Sequence, residues 1–505
     1  MTKLSRRELF AASACAASLN ASAWQASPAE VAPGVYFRVG DLQRGQSNSG
    51  FIVCPDWVAA IDAPTPEASA DMFAQIARVT PKPVRYLVLT HGHGDHVNGL
   101  EAFTSKGVTV LCAEVLRRRF EEKNAPGHFL GIGDRLTLRA GARNLELVSF
   151  GRAHSPADLF VLLPSEGVLF GGDAVLNMPA MFMGECDLIN WIRTLQTLRK
   201  RELRVVCPGH GPSGGSELID RMASHLTTLR DEVGYQVCQG RTFEVALGQV
   251  KAPGQSRYAR DAKHFETQLK VVYAQLTAPV PAPAQLAVPH ALVLIGDYYH
   301  RPAWSRPPLE AVFEKIGMPA TFICDVTRLN AASLQGYRLL VILRDGMNRP
   351  EVGGKPVWWM TPEQEKAVVE FVANGGGYLA LHNATALKEK AAEPGPYRDM
   401  LGSSYKGHGP ADEKFEVRVV DPSHPIARGV SGYAAVDKHH WPVIHAGDLR
   451  VFTRTSGQHV NGYTRAHGAG RVCYLATGHH RAMLELPAMQ QLMANAALWC
   501  IGALS

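Results

Sequence analysis

Short apolar runs separated by polar, glycine- and proline-rich turns recur along the chain and set its element plan. Val84 to Leu89, Leu159 to Leu163, Val168 to Phe170 and Val205 to Cys207 have the length of buried strands rather than helices. Each is followed within a few residues by histidine or aspartate, or has one just before it. From Thr277 the pattern breaks into Ala278-Pro279-Val280-Pro281-Ala282-Pro283 and on to Pro289, a stretch that can form neither a regular helix nor a central strand. Such a segment is a semi-rigid spacer and predicts a domain boundary. Beyond it, strand-like runs (Ala291 to Ile295, Ala320 to Cys324, Leu339 to Leu343, Tyr378 to Leu381) alternate with helical spacing over Pro308 to Ile316 and Pro362 to Asn374. That alternation predicts a parallel, doubly wound sheet whose ligands gather at the carboxyl ends of its strands.

Length fits this division. A chain of 505 residues exceeds one ordinary core, and two domains of about 200 to 250 residues are expected. The expected plan is a leader over 1–26, a first domain over 27–278, a linker over 279–289 and a second domain over 290–505. With 46% hydrophobic and 19% charged residues the composition is globular, and the net charge of +6 is modest. Arg117-Arg118-Arg119 and Arg199-Lys200-Arg201 read as solvated helix faces, so a nucleic-acid partner is not expected. No apolar stretch reaches the roughly 20 residues of a membrane span. The eight cysteines after the leader are scattered without CxxC pairs and read as buried, reduced small hydrophobes.

The first residues carry an address. Arg6-Arg7 stand in a basic segment before the Ala-rich run Ala11 to Ala17, and Ala21-Ser22-Ala23 offers small residues for cleavage. This resembles a twin-arginine export signal and implies a periplasmic protein, with the export translocase as a partner during biogenesis.

The densest chemistry is His91-Gly92-His93-Gly94-Asp95-His96, directly after the run ending at Leu89-Thr90. In extended backbone His91 and His93 project the same way, with Asp95 close behind, and the two glycines permit the tight path. Four ligand-type side chains so crowded rarely serve packing, and imidazole with carboxylate suits zinc, leaving iron and manganese open. Farther on, His154, Asp173 and His210 lie near strand ends, the last two in Gly172-Asp173 and Pro208-Gly209-His210-Gly211.

The ordered set HxHxDH, His, GD and PGHG resembles the metallo-β-lactamase superfamily over about Val31 to Ala274. Asn48 to Val53 with Trp57 to Asp62 resembles its opening hairpin. The resemblance implies an αββα sandwich and two metal ions, most simply two zinc ions. His91, His93 and His154 would hold one, Asp95, His96 and His210 the other, and Asp173 would bridge them. Aspartate at the bridging position is similar to the glyoxalase II type rather than to many β-lactamases. A water between two cations becomes a hydroxide nucleophile near neutral pH, with Asp95 and His96 as catalytic residues. The implied activity is hydrolysis of an ester, thioester, lactone or related bond in a small molecule. The competing readings are a mononuclear-iron oxidoreductase, since sulfur dioxygenases share the fold, and a binding protein with a vestigial site.

Gly375 to His382, with Ile295 to His300, Gly468 to Ala476 and Gly478-His479, resembles the ThuA-like (trehalose-utilisation) family, of class I glutamine-amidotransferase-like, flavodoxin-type fold. No cysteine follows the glycine-rich strand, which argues against glutaminase chemistry. His300, His382, His440 and His479 form a candidate second site for a carbohydrate-related ligand, with a metal or a histidine acid/base as its chemistry.

Overall fold

The computed structural model describes residues 28–179, 181–251, 258–283 and 288–505. The arginine pair and the leader lie outside the described residues. Contacts divide the chain into two compact units, the first running to Leu226 and taking in the segment that ends at Arg260, the second comprising the rest from Thr227. The helices Phe243–Gln249 and Ala262–Thr277, within the expected first domain, thus group with the second unit.

In the first unit two sheets stack. The seven-stranded sheet runs in chain order from Ala29–Ala32 to His128–Ile132, with hairpin pairing up to Val58–Ile61 and parallel pairing from there onward. The five-stranded sheet has the order Val205–Pro208, Val168–Gly172, Phe160–Leu163, Arg143–Val148, Arg135–Ala140. Alternation decides what each face covers. Ala59, Ile61 and Val88 join Leu147, Val161 and Phe170 in the core between the sheets. Val58, Ala60, Leu87 and Leu89 point the other way, against Met72 and Ile76 of helix Pro66–Val79 and Leu116 of helix Glu114–Glu122. A strand buried on both faces must be apolar throughout, which is why Val58–Ile61 and Val168–Gly172 read as unbroken runs. The expected hairpin forms from Ser49–Val53 and Val58–Ile61.

In the second unit a nine-stranded sheet begins with five parallel strands in the order Ala320–Ile323, Ala291–Ile295, Leu339–Leu343, Gly377–Leu381, Gly470–Leu475. Numbered along the chain this is 2-1-3-4-5, the flavodoxin-type order, whose ligand crevice lies outside the carboxyl ends. The sheet departs from the expected all-parallel form. Four antiparallel strands extend it: Val460–His467, Arg450–Thr455, Glu413–Val419 and Tyr433–Asp437. Glu413–Val419 alternates buried and exposed positions, so no apolar run announced it. The helix expected from Pro308 begins earlier, at Pro302, which occupies a first-turn position where its missing N–H costs nothing. All eight cysteines after the leader are buried and outside any disulfide.

Candidate metal centre

The strand Val84–Val88 delivers Thr90 to His93 at its carboxyl end, and the single turn Gly94–Val97 carries Asp95 and His96 back over it. His91 Nε2 and His154 Nε2 lie 3.0 and 3.2 Å from His93 Nδ1. Asp173 sits between two sets of imidazoles. Its Oδ2 is 3.8 Å from His91 Nε2 and 3.6 Å from His154 Nε2, whereas its Oδ1 is 3.2 Å from His96 Nε2 and 3.5 Å from His210 Nε2. His210 Nε2 is also 3.1 Å from Asp95 Oδ2. The seven residues singled out in the sequence thus form two adjoining groups able to hold a cation, His91/His93/His154/Asp173 and Asp95/His96/His210.

The donor set fits metal ions. His96 Nε2 and Asp173 Oδ1 are buried and face one another, yet neither has a hydrogen-bond partner. Buried polar atoms left without a hydrogen bond are costly, and a divalent ion among imidazole and carboxylate ligands removes that cost.

Electrostatics follow from burial and crowding. Burial pushes the His91 imidazole well below its ordinary value and takes His154 down to about 3. Both are therefore neutral, lone-pair donors near neutral pH. Burial would raise Asp173, but the His210 and His96 rings outweigh it and hold the carboxyl well below its usual range. For His96, burial acts downward and the Asp173 and Asp62 carboxylates reverse it.

Several supports were not singled out by the sequence reading. Asp62 Oδ2 is 2.8 Å from His96 Nδ1 and accepts from Thr90 Oγ1, while its Oδ1 accepts from the Thr90 amide at 2.7 Å. It does so from left-handed backbone, φ 57°. Asp158 accepts from the amides of Ala153 and Ser155 and from Ser155 Oγ, fixing the loop of His154, and burial raises its carboxyl to about 7. Asn48 Nδ2 donates to the carbonyls of Pro208 and Gly211 on either side of His210. Glu185 Oε2 lies 3.3 Å from His93 Nε2. The only signal for Asp62 was an aspartate closing a strand-like run. Gly209 has a clearer reason: a Cβ there would stand 2.0 Å from Asp173 Oδ1.

In the second unit His300, His382 and His479 follow three parallel strands and converge. His440 does not join them as expected. It lies on the strand His440–Ile444 with its ring tilted against that of His382, centroids 3.8 Å apart, outside the group of converging nitrogens.

Residues 42–210 match the family model described as metallo-beta-lactamase superfamily, and residues 291–500 that described as ThuA, trehalose utilisation. Among curated relatives, a metallo-beta-lactamase type 2 of Bacteroides fragilis is 29% identical over 180 residues, 34% of this chain and 72% of the relative. One from Bacillus sp. (strain 170) is 26% identical, covering 30% of this chain and 60% of the relative. The beta-lactamase-like protein 2 homolog of Caenorhabditis elegans is 25% identical, covering 30% and 52%. A solved metallo-beta-lactamase from Pontibacter korlensis is 26% identical over 40% of this chain and 98% of its own, with a TM-score of 0.37. Residues 42–210, which hold the His/Asp clusters, thus form a metallo-beta-lactamase superfamily domain, and residues 291–500 form a ThuA domain.

Proposed function

We propose that the protein is an exported, dinuclear zinc hydrolase acting on an ester, thioester, lactone or related bond of a small molecule, whose ThuA domain binds a carbohydrate-related ligand. The observation that carries the hydrolase reading is the division of Asp173, one carboxylate oxygen toward each histidine group. A single ion would leave Asp95, His96 and His210 without a purpose. His91, His93 and His154 would hold one ion, Asp95, His96 and His210 the second, with Asp173 shared. Cations held by these residues would supply an acidified water and polarisation of the carbonyl under attack.

The chain's own groups supply the rest. Asp95 is the most exposed of the seven, with 27% of its side chain accessible. Its role in this reading is to take the proton released by the attacking water and return it to the leaving group. Asp62 holds His96 with Nε2 free toward the site. Phe182, exposed beside His93 and His154, offers an apolar wall for the acyl part of a substrate. The carbohydrate reading rests on the ThuA match and on the exposed rings of Tyr298 and Tyr299 near His300.

The test is a panel of thioesters, lactones, β-lactams and phosphodiesters assayed with wild type and Asp95→Ala. The variant is expected to keep its fold and lose most turnover. Undiminished turnover by Asp95→Ala would refute the dinuclear reading. Export rests on Arg6 and Arg7, and replacing both by lysine is expected to leave the protein in the cytoplasm, read by cell fractionation.

A further inference from the structure

Strands one, four and five of the flavodoxin-type order, Ala291–Ile295, Gly377–Leu381 and Gly470–Leu475, each lead at their carboxyl ends to a histidine. His300, His382 and His479 each offer one ring nitrogen, and these lie within 4.8 Å of one another. We propose that they form a separate, mononuclear cation site for zinc or a similar first-row divalent ion, with a coordination position left open for a small oxygen-bearing ligand.

Hydrogen bonding fixes which nitrogens are available. His300 Nδ1 lies 2.9 Å from both carboxylate oxygens of buried Asp297, which accept its proton and turn Nε2 toward the other two rings. His382 Nδ1 donates to the Ala476 carbonyl at 3.0 Å, which leaves Nε2 as its lone pair. That Nε2 is buried and has no hydrogen-bond partner. His479 Nδ1 faces His300 Nε2 at 2.8 Å. A proton between those two nitrogens, on either ring, would satisfy both but leave His382 Nε2 unsatisfied. One cation satisfies all three.

The surroundings are those of a metal site rather than of a packed core. Carboxylate-to-histidine support of the Asp297–His300 kind orients ligands and raises their basicity. Asp297 is held in turn by the Asn383 amide, at 2.9 Å, and by the Asp345 N–H. Asp437 accepts from the backbone amides of Gly478, His479 and His480, which fixes the loop that presents His479. His382 occupies left-handed backbone, φ 49°, a conformation that a β-carbon disfavours and that surrounding structure must enforce. Three imidazoles with no thiolate favour zinc-like ions, and three protein ligands rather than four mark an open site. The cation site does not depend on a sugar ligand, nor on the hydrolase centre.

The experiment uses the full chain stripped of metal by chelation, reloaded with zinc alone, desalted and analysed for zinc and protein. A variant carrying His93→Ala, His154→Ala and His210→Ala removes donors from both N-terminal groups and is expected to retain one equivalent of zinc. Adding His479→Gln, on a half-buried loop residue, is expected to remove that equivalent without changing the circular dichroism spectrum. In the wild-type background His382→Gln and His479→Gln should each lower the zinc content by one equivalent. A folded triple variant that holds no zinc, or one whose zinc survives His479→Gln, overturns the proposal. If the triple variant does not fold, unchanged content in the two single variants overturns it. Failure of the hydrolase centre would show differently, as a triple variant that binds as much zinc as wild type.

Discussion

Replacing Asp62 by asparagine changes one atom in a residue that touches no substrate, yet it should weaken one metal position selectively. The carboxylate receives three contacts: the Thr90 amide on Oδ1, and Thr90 Oγ1 and His96 Nδ1 on Oδ2. Asparagine keeps the first through its carbonyl and fits the left-handed backbone, where it is among the better-tolerated residues. Its amide then points at His96 Nδ1 as a donor. The imidazole answers by moving its proton to Nε2, the nitrogen that faces Asp173 Oδ1 at 3.2 Å and that must be bare to bind an ion. Loss of such an outer partner typically costs ~10- to 100-fold in affinity, or about 1.4–2.7 kcal/mol. Zinc titration of the stripped protein against a competing chromophoric chelator should show the second N-terminal equivalent weakened by that factor and the first unchanged. Wild-type affinity at every equivalent would refute the orienting role of Asp62, and so would uniform weakening of all of them.

Other outcomes follow from packing and charge. Gly209→Ala forces a Cβ against Asp173 Oδ1 and the Gly172 carbonyl carbon, 2.0 and 2.6 Å away, and overpacking of this kind costs ~1–3 kcal/mol. Its melting temperature and zinc content should both fall, and a variant that retains both would contradict the close approach. Burial and the nearby Arg450 lower the His424 imidazole to about 4 from its ordinary 6.5. A depressed histidine contributes stability that is complete above pH 6.5 and lost as pH falls toward 4, with a slope of at most ~1.4 kcal/mol per pH unit. Denaturant midpoints of His424→Gln should therefore depend less steeply on pH across that window than those of wild type.

The ligands of the first site were legible because their chemistry is compressed: four donors in six residues, then single donors at strand ends. Their supports were not. Asp62 and Asn48 are ordinary strand-end residues in sequence, and only the pairing of Val58–Ile61 with Val84–Val88 brings Asp62 under His96, while Asn48 reaches the turn of His210 from the other sheet. In the second unit the parallel strands are continuous apolar runs and could be read directly. The antiparallel extension could not, because strands such as Glu413–Val419 spend alternate residues on solvent. His440 was grouped with the other histidines by residue type alone. Its strand pairs with Ser403–His408, which sets its ring against His382 rather than into the converging nitrogens.

The central claim is that a shared aspartate lets two ions act together in hydrolysis. The most direct measurement strips the full chain of metal, confirms loss of turnover on its best substrate from the panel, and follows recovery during zinc titration of wild type and Asp173→Asn. The account predicts recovery for wild type and none for Asp173→Asn, which keeps the shape of the shared ligand but not its charge. Turnover that survives chelation, or that returns only with iron and consumes oxygen, would contradict it.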